Sequence, residues 1–216
     1  MPNSISSSST SAQINAVATL IYHCGVSENM DYGPGGSGAY SGDVPYALQE
    51  YFAYTDNGTQ LAKSNYSDND WSDLLKNELN NLRPVYYSGS GSGGHAFVCD
   101  GYSDDGTFHF NWGWSGYYNG NYNLNSLTPG SHNYSSSQYA IIGISASNPF
   151  LRCSHNAMTF ATSVGTESEA QILQVRGHLL SQNITVTAGN EFTVSTNGSN
   201  FYNSVTLPPD GGDVYV

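Results

Sequence analysis

Basic residues are scarce in this chain. Five Lys and Arg stand against 17 Asp and Glu, a formal net charge of −12 over 216 residues. With no basic stripe to neutralise phosphates, a nucleic-acid partner is not expected. Cysteine is sparse as well: Cys24, Cys99 and Cys153 are odd in number, so at least one is unpaired and a disulfide-dense scaffold is excluded. No stretch approaches the roughly 20 consecutive apolar residues of a membrane span. The first residues lack the basic start and apolar core of a signal peptide, so an exported protein would carry its leader outside this chain. Neither C-x-x-C nor H-x-x-x-H spacing occurs; His23 and Cys24 are adjacent and point to different sides of a helix, and His95 and Cys99 are too far apart to share an ion. No metal and no other cofactor is therefore expected. The run Gly89 to Gly94 lacks the Lys-Ser/Thr ending of a phosphate loop.

The chain is rich instead in Tyr (17) and Gly (24), with much Asn and Ser. Uncharged polar surface of this kind is frequent in secreted or cell-surface proteins. Residues 1–11 are low-complexity and read as a disordered leader. Ser11 can cap a helix over 12–24, with Ile14, Val17, Ile21 and Cys24 on one face and Leu20 beside it, and Gly25 as a terminator. Residues 31–39 are too glycine-rich for regular structure. Asp43 can cap a second helix through Val44, Leu48 and Phe52. Residues 54–69 read as turns. Asp70 can cap a third helix with Trp71, Leu74, Leu75, Leu79 and Leu82 buried, stopped by Pro84. Strands follow, so the order of helices and then an antiparallel sheet predicts an α+β domain over 12–147. Past Pro149 the pattern becomes short alternating strands at 158–162, 170–175, 183–187, 191–195, 203–207 and 214–216. That spacing predicts a β-sandwich module over 148–216, short of a full set of strands.

Residues 84–116 organise the chain. They read as three strands, 84–87, 95–102 and 107–112, the last two joined by the turn sequence Ser103-Asp104-Asp105-Gly106. Alternation puts His95, Phe97 and Cys99 on one face and Ala96, Val98 and Asp100 on the other. A polar Asn111 between Phe110 and Trp112 needs a buried or functional partner. These are the parts of a His–Asn half-site: an imidazole that takes a proton, a carboxamide that orients it, and an indole that keeps water off their bond. A plain hairpin would set Asn111 opposite Val98, so a bulge or diagonal contact is required to reach His95.

A nucleophile is harder to find. Cys24 ends a helix, where the macrodipole disfavours a thiolate, and it continues an apolar stripe, so core packing is its expected role. Cys99 lies four residues along the strand from His95, about 13 Å at strand rise. Cys153 falls in the linker. On the residues alone, a glycine-rich hairpin with a surface histidine is the bland alternative.

Three segments together resemble the streptopain family of papain-like cysteine peptidases. Arg83-Pro84-Val85-Tyr86-Tyr87 with Gly93-Gly94-His95-Ala96-Phe97-Val98 and Asp100-Gly101 is similar to its catalytic-histidine segment. Phe110 through Gly116 resembles its Asn-Trp-Gly-Trp signature. Residues 17–25 and 30–39 resemble its helix and glycine-rich loop. The resemblance spans about 14–146 and implies a papain-like fold and a cysteine endopeptidase acting on polypeptides. It implies His95 as general base, Asn111 or Trp112 as its positioner, and Ser37 and Gly94 as cleft residues. The family often has Gln where Ser88 stands, which implies a lost polar contact there. It also implies that the nucleophile helix, Gly-Cys-Val-Ala-Thr-Ala, precedes this chain, since position 16 is Ala and Cys24 matches a non-catalytic cysteine. By the same resemblance residues 148–216 form an immunoglobulin-like module, cut short. A chain without the nucleophile is expected to be inactive alone. The alternative function is an inactive peptidase fold that binds a peptide or glycan in a Tyr/Trp-rich cleft.

Overall fold

The computed structural model describes residues 6–155, 157–163 and 165–216. The first five residues of the expected leader lie outside them; the Ser9 N–H closes a turn on the Ser6 carbonyl. Thr10, not Ser11, caps the first helix. Its hydroxyl accepts from the Gln13 N–H while the Gln13 side chain accepts from the Thr10 N–H, a reciprocal capping box.

That helix, α1, spans Ser11–Ser27 and continues through the glycine at which composition predicted a stop. Glycine inside a helix costs only about 1 kcal/mol. Here it serves packing: a Cβ on Gly25 would lie 1.8 Å from the Tyr32 hydroxyl. The expected burial of the apolar stripe is overturned. Ile14, Leu20, Ile21 and Cys24 are exposed, and Gly25 is the buried residue of the helix. Periodicity reports which side chains share a face, not what covers that face.

Two three-residue strands follow, β1 (Asp31–Gly33) and β2 (Gly36–Gly38), paired antiparallel with Tyr32 opposite Ser37. A 3-10 turn at Ser41–Asp43 leads into α2 (Val44–Phe52), which ends at Ala53 in the left-handed region, φ 56°. Asp43 sits at the N-cap position but makes no side-chain cap bond. The segment expected to be turns contains a strand, β3 (Thr59–Ala62). It is an edge strand whose pairing comes from a distant partner, and local composition does not carry that information. α3 (Asp68–Asn80) starts two residues before the expected cap; the Ser67 hydroxyl accepts from the Asp70 N–H. Its buried side is Trp71, Leu75 and Glu78.

The central sheet adds β4 (Val85–Ser90), β5 (Gly94–Tyr102), β6 (Phe108–Asn111), β7 (Gly120–Tyr122) and β8 (Ser136–Ile142). Its order is β3-β8-β4-β5-β6-β7, and every neighbouring pair is antiparallel. Helices followed by antiparallel sheets make the chain α+β, as the element order predicted. One sheet face, with Val85, Tyr87, Phe97, Cys99, Phe108, Phe110 and Ala140, forms the core with Trp71 and Leu75 of α3. Three of its polar side chains, Trp71, Tyr87 and Gln138, are linked in a chain. Trp71 Nε1 donates to the Tyr87 hydroxyl at 2.8 Å, which donates to Gln138 Oε1 at 2.6 Å. Gln138 Nε2 in turn donates to the carbonyls of Leu124 and Ser135. Buried hydrogen-bonded polar groups of this sort fix one register, because a slip would leave each of them unpaired. Glu78 acts similarly at the end of α3. Burial alone would raise its pKa, but the paired Arg83 guanidinium and the Gly143 N–H bring it below the usual carboxylate value.

Residue contacts divide the chain into two units. One holds the described residues through Leu79 with Arg83–Ser145; the other holds Asn80–Leu82 with Ala146–Val216. The second unit has a three-stranded sheet, β13-β10-β9, and a two-stranded one, β11-β12. Its strands are β9 (Phe150–Cys153), β10 (Ile172–His178), β11 (Ile184–Thr187), β12 (Ser204–Leu207) and β13 (Gly211–Tyr215). Val175, Ile184, Val194, Leu207 and Val214 form its core. Three expectations change. Residues 158–162 are not a strand, and 191–195 contribute only isolated bridges, Val194 to Tyr202 and Ser195 to Tyr215. β9 lies where a linker was expected, held by pairing to β10.

Candidate active site

His95 is the second residue of β5 and shares the core face with Phe97 and Cys99, as alternation predicted. Three devices hold its ring. The first is a hydrogen bond of 2.9 Å between His95 Nε2 and the main-chain carbonyl of Trp112. A carbonyl can only accept, so Nε2 carries the hydrogen and the neutral ring presents a bare Nδ1. The second is Trp114, stacked on the imidazole at 4.9 Å and 22°. The third is Tyr134, tilted against it at 5.1 Å.

The Trp112 carbonyl is aimed by its own chain. Its N–H donates to Asn119 Oδ1 at 3.0 Å. Asn111 Oδ1 accepts from the Gly113 N–H at 3.0 Å, the self-bonded turn that Asn favours. Gly113 then takes φ 74° and Ser115 φ 53°, which folds Trp114 back over His95. The sequence reading expected the Asn111 carboxamide to clamp the imidazole; instead Asn111 builds the turn, and the next peptide carbonyl makes the bond. The register explains why. Asn111 pairs with Val98, and Asp100 is the extra residue of a bulge between Cys99 and Gly101. The Asn111 side chain is exposed, while Trp112 is fully buried against Phe97.

Gly94 opens β5 beside His95, and a Cβ built there would meet open space. Ser37 lies on the separate hairpin strand β2 and is exposed. Ser88 pairs with Ala96 and so belongs to the sheet face opposite His95, whose own partner is Gly89. Sequence reasoning missed Tyr134 and also His132, which stacks on Tyr134 at 9° and contacts Trp114 at 5.2 Å. The absent side chain at Gly89 was the available signal: a Cβ there would lie 2.1 Å from the Tyr134 carbonyl oxygen.

Neither cysteine of this unit is disposed to be a thiolate. Burial pushes the Cys99 thiol up to about 12. Cys24, though exposed by surface area, is raised as well, first by partial desolvation of its sulfur and then by the nearby Glu28 carboxylate. Cys153 belongs to the second unit. Among the described residues no His, Cys, Asp and Glu group could hold a metal ion, and no helix is long and apolar enough to cross a membrane.

Residues 1–122 match the Peptidase C10 family. Over 152 residues the chain is 45% identical to the thiol protease/hemagglutinin PrtT of Porphyromonas gingivalis, a match covering 67% of this chain and 18% of that protein. It is 38% identical to streptopain of Streptococcus pyogenes over 143 residues, 62% of this chain and 36% of the other. The chain thus spans well under half the length of these relatives. Among solved structures, the active wild-type interpain A cysteine protease of Prevotella intermedia superposes with a TM-score of 0.63 at 39% identity, covering 68% of this chain and 63% of that one.

Proposed function

Because the chain belongs to the Peptidase C10 family, we propose that it is the histidine-bearing part of an extracellular cysteine endopeptidase. In this reading His95 serves a cysteine nucleophile supplied from outside these 216 residues. The observation that carries the reading is the Nε2–H bond to the Trp112 carbonyl, which reserves Nδ1 for proton transfer. Nδ1 takes the thiol proton, and the Trp112 carbonyl stabilises the resulting imidazolium through Nε2–H. The thiolate attacks the scissile carbonyl carbon. His95 returns the proton through Nδ1 to the leaving amine, which departs and leaves a thioester. Water, deprotonated by the same nitrogen, then releases the acid and regenerates the thiol.

Trp114 and Tyr134 keep the ring from rotating and shield its bond to Trp112. Gly94 and Ser37 would line the cleft for a polypeptide substrate, by family resemblance. The raised thiols of Cys24 and Cys99 support a nucleophile from elsewhere, because a reactive cysteine needs a lowered pKa. The scarcity of charge and the abundance of Tyr and Gly support action outside the cell. Residues 148–216 are assigned to an accessory β-module that is not itself catalytic.

The test compares this chain with the same chain extended by its natural upstream sequence. The extended protein is expected to hydrolyse casein and to lose that activity on thiol alkylation; the 216-residue chain is expected to be inert. Hydrolysis by the short chain that disappears in Cys24→Ala would make Cys24 the nucleophile and overturn the assignment. Peptide binding without turnover in the extended protein would make the fold a binding module.

A further inference from the structure

Glu28 stands where a carboxylate is poorly placed, for three separate reasons. It is the C-cap residue of α1, its N–H bonded to the Cys24 carbonyl, and the negative end of the helix dipole opposes an anion there. Its Oε2 is shut off from solvent and has no hydrogen-bond partner among the described residues, which penalises the charged form most. The charge that acts on it is another carboxylate, Asp43, from the 3-10 turn. The other titratable groups facing it are Cys24, one turn back on α1, and Tyr86 on β4; both feel its charge. No Lys, Arg or His is among the groups that act on it.

Its position gives that charge leverage. Residues 28 and 43 flank the hairpin of β1 and β2. On one side the Met30 N–H bonds to the Gly25 carbonyl, and the Tyr32 ring packs over Gly25. On the other the Ser41 hydroxyl bonds to the Tyr86 hydroxyl at 2.9 Å, tying the turn to β4. When both carboxyls are charged they repel across the base of the hairpin, and no Lys, Arg or His among the described residues acts on Glu28 to offset them.

We propose that Glu28 is a protonation switch for the hairpin that carries Ser37. With Glu28 protonated the hairpin is docked between α1 and the 3-10 turn; when it ionises opposite Asp43 the hairpin loosens. Burial, then Asp43, pushes this carboxyl up from 4.5 to about 7. Below 4.5 folded and unfolded chains both hold the proton. Between 4.5 and 7 only the folded chain holds it, so local stability declines as pH rises through that window and is lowest above it. The switch is a property of the first unit alone and stands whether or not the peptidase reading does.

Hydrogen exchange of residues 28–38, corrected for the intrinsic pH dependence, reads the switch in the chain as it is. Protection is expected to fall on the order of tenfold between pH 6 and pH 8. Glu28→Gln should keep its pH 6 protection at pH 8. Asp43→Asn, which removes no helix-cap bond, should move the transition to lower pH. Equal protection at both pH values in the parent chain, or the same loss in Glu28→Gln, would overturn the proposal.

Discussion

If the proposed peptidase is assembled, alanine at position 95 is expected to lower its kcat/KM by about 10²- to 10⁴-fold, the range for losing a positioned general base. The expected loss is in kcat, since the role proposed for His95 is proton transfer and not substrate affinity. Neighbouring positions should respond according to how they act. Trp112 works through its main-chain carbonyl, so Trp112→Phe keeps the bond and should cost much less. Asn111 works through the turn at Gly113, so Asn111→Ala should displace the carbonyl and the Trp114 ring together. A misplacement of that kind costs about 10²-fold. Steady-state kinetics on the three variants checks the ranking; equal losses at 95 and 111 would restore the carboxamide clamp that the geometry argues against.

Gly89→Ala should be among the most damaging single-methyl additions in the first unit. The new Cβ would stand 2.1 Å from the Tyr134 carbonyl oxygen and 3.1 Å from its carbon. Main-chain atoms cannot rotate away as a side-chain tip can, so the segment through Tyr134 must shift as a body. Overpacking of this type costs roughly 1–3 kcal/mol, occasionally more. The consequence reaches the site, because Gly89 pairs with His95 across β4 and β5 and Tyr134 packs on that imidazole. Denaturant unfolding should therefore show a lowered midpoint, and the aromatic ring signals of His95 and Tyr134 should move with it. An unchanged midpoint would mean that the Tyr134 segment is not fixed against β4. At Gly94, by contrast, a Cβ meets nothing within 4 Å, so alanine there should leave stability unchanged.

The legible parts of the molecule were those written in local pattern. Alternation along 95–102 gave the correct face for His95, Phe97 and Cys99, and the Trp71/Leu75 spacing gave the buried side of α3. What escaped was non-local or carried by the backbone. β3 is a strand because β8 pairs with it. The α1 stripe was a true helical face, but no periodicity says what a face meets. The bond that orients His95 ends on a peptide carbonyl, and every residue type has one of those. Only the Asn-Trp-Gly-Trp spacing hinted at the turn that delivers it. The Asp100 bulge, which resets the register between β5 and β6, has no signature in the sequence beyond the adjacent Gly101.

The central claim is that Nε2 of residue 95 is tied down and Nδ1 is left for chemistry. Nitrogen-15 NMR of the His95 ring in this chain, taken above the pH at which the ring titrates, reports it directly. The account predicts the Nε2–H tautomer, with Nε2 protonated and Nδ1 bare. A ring protonated at Nδ1, or one averaging freely between tautomers, would contradict it.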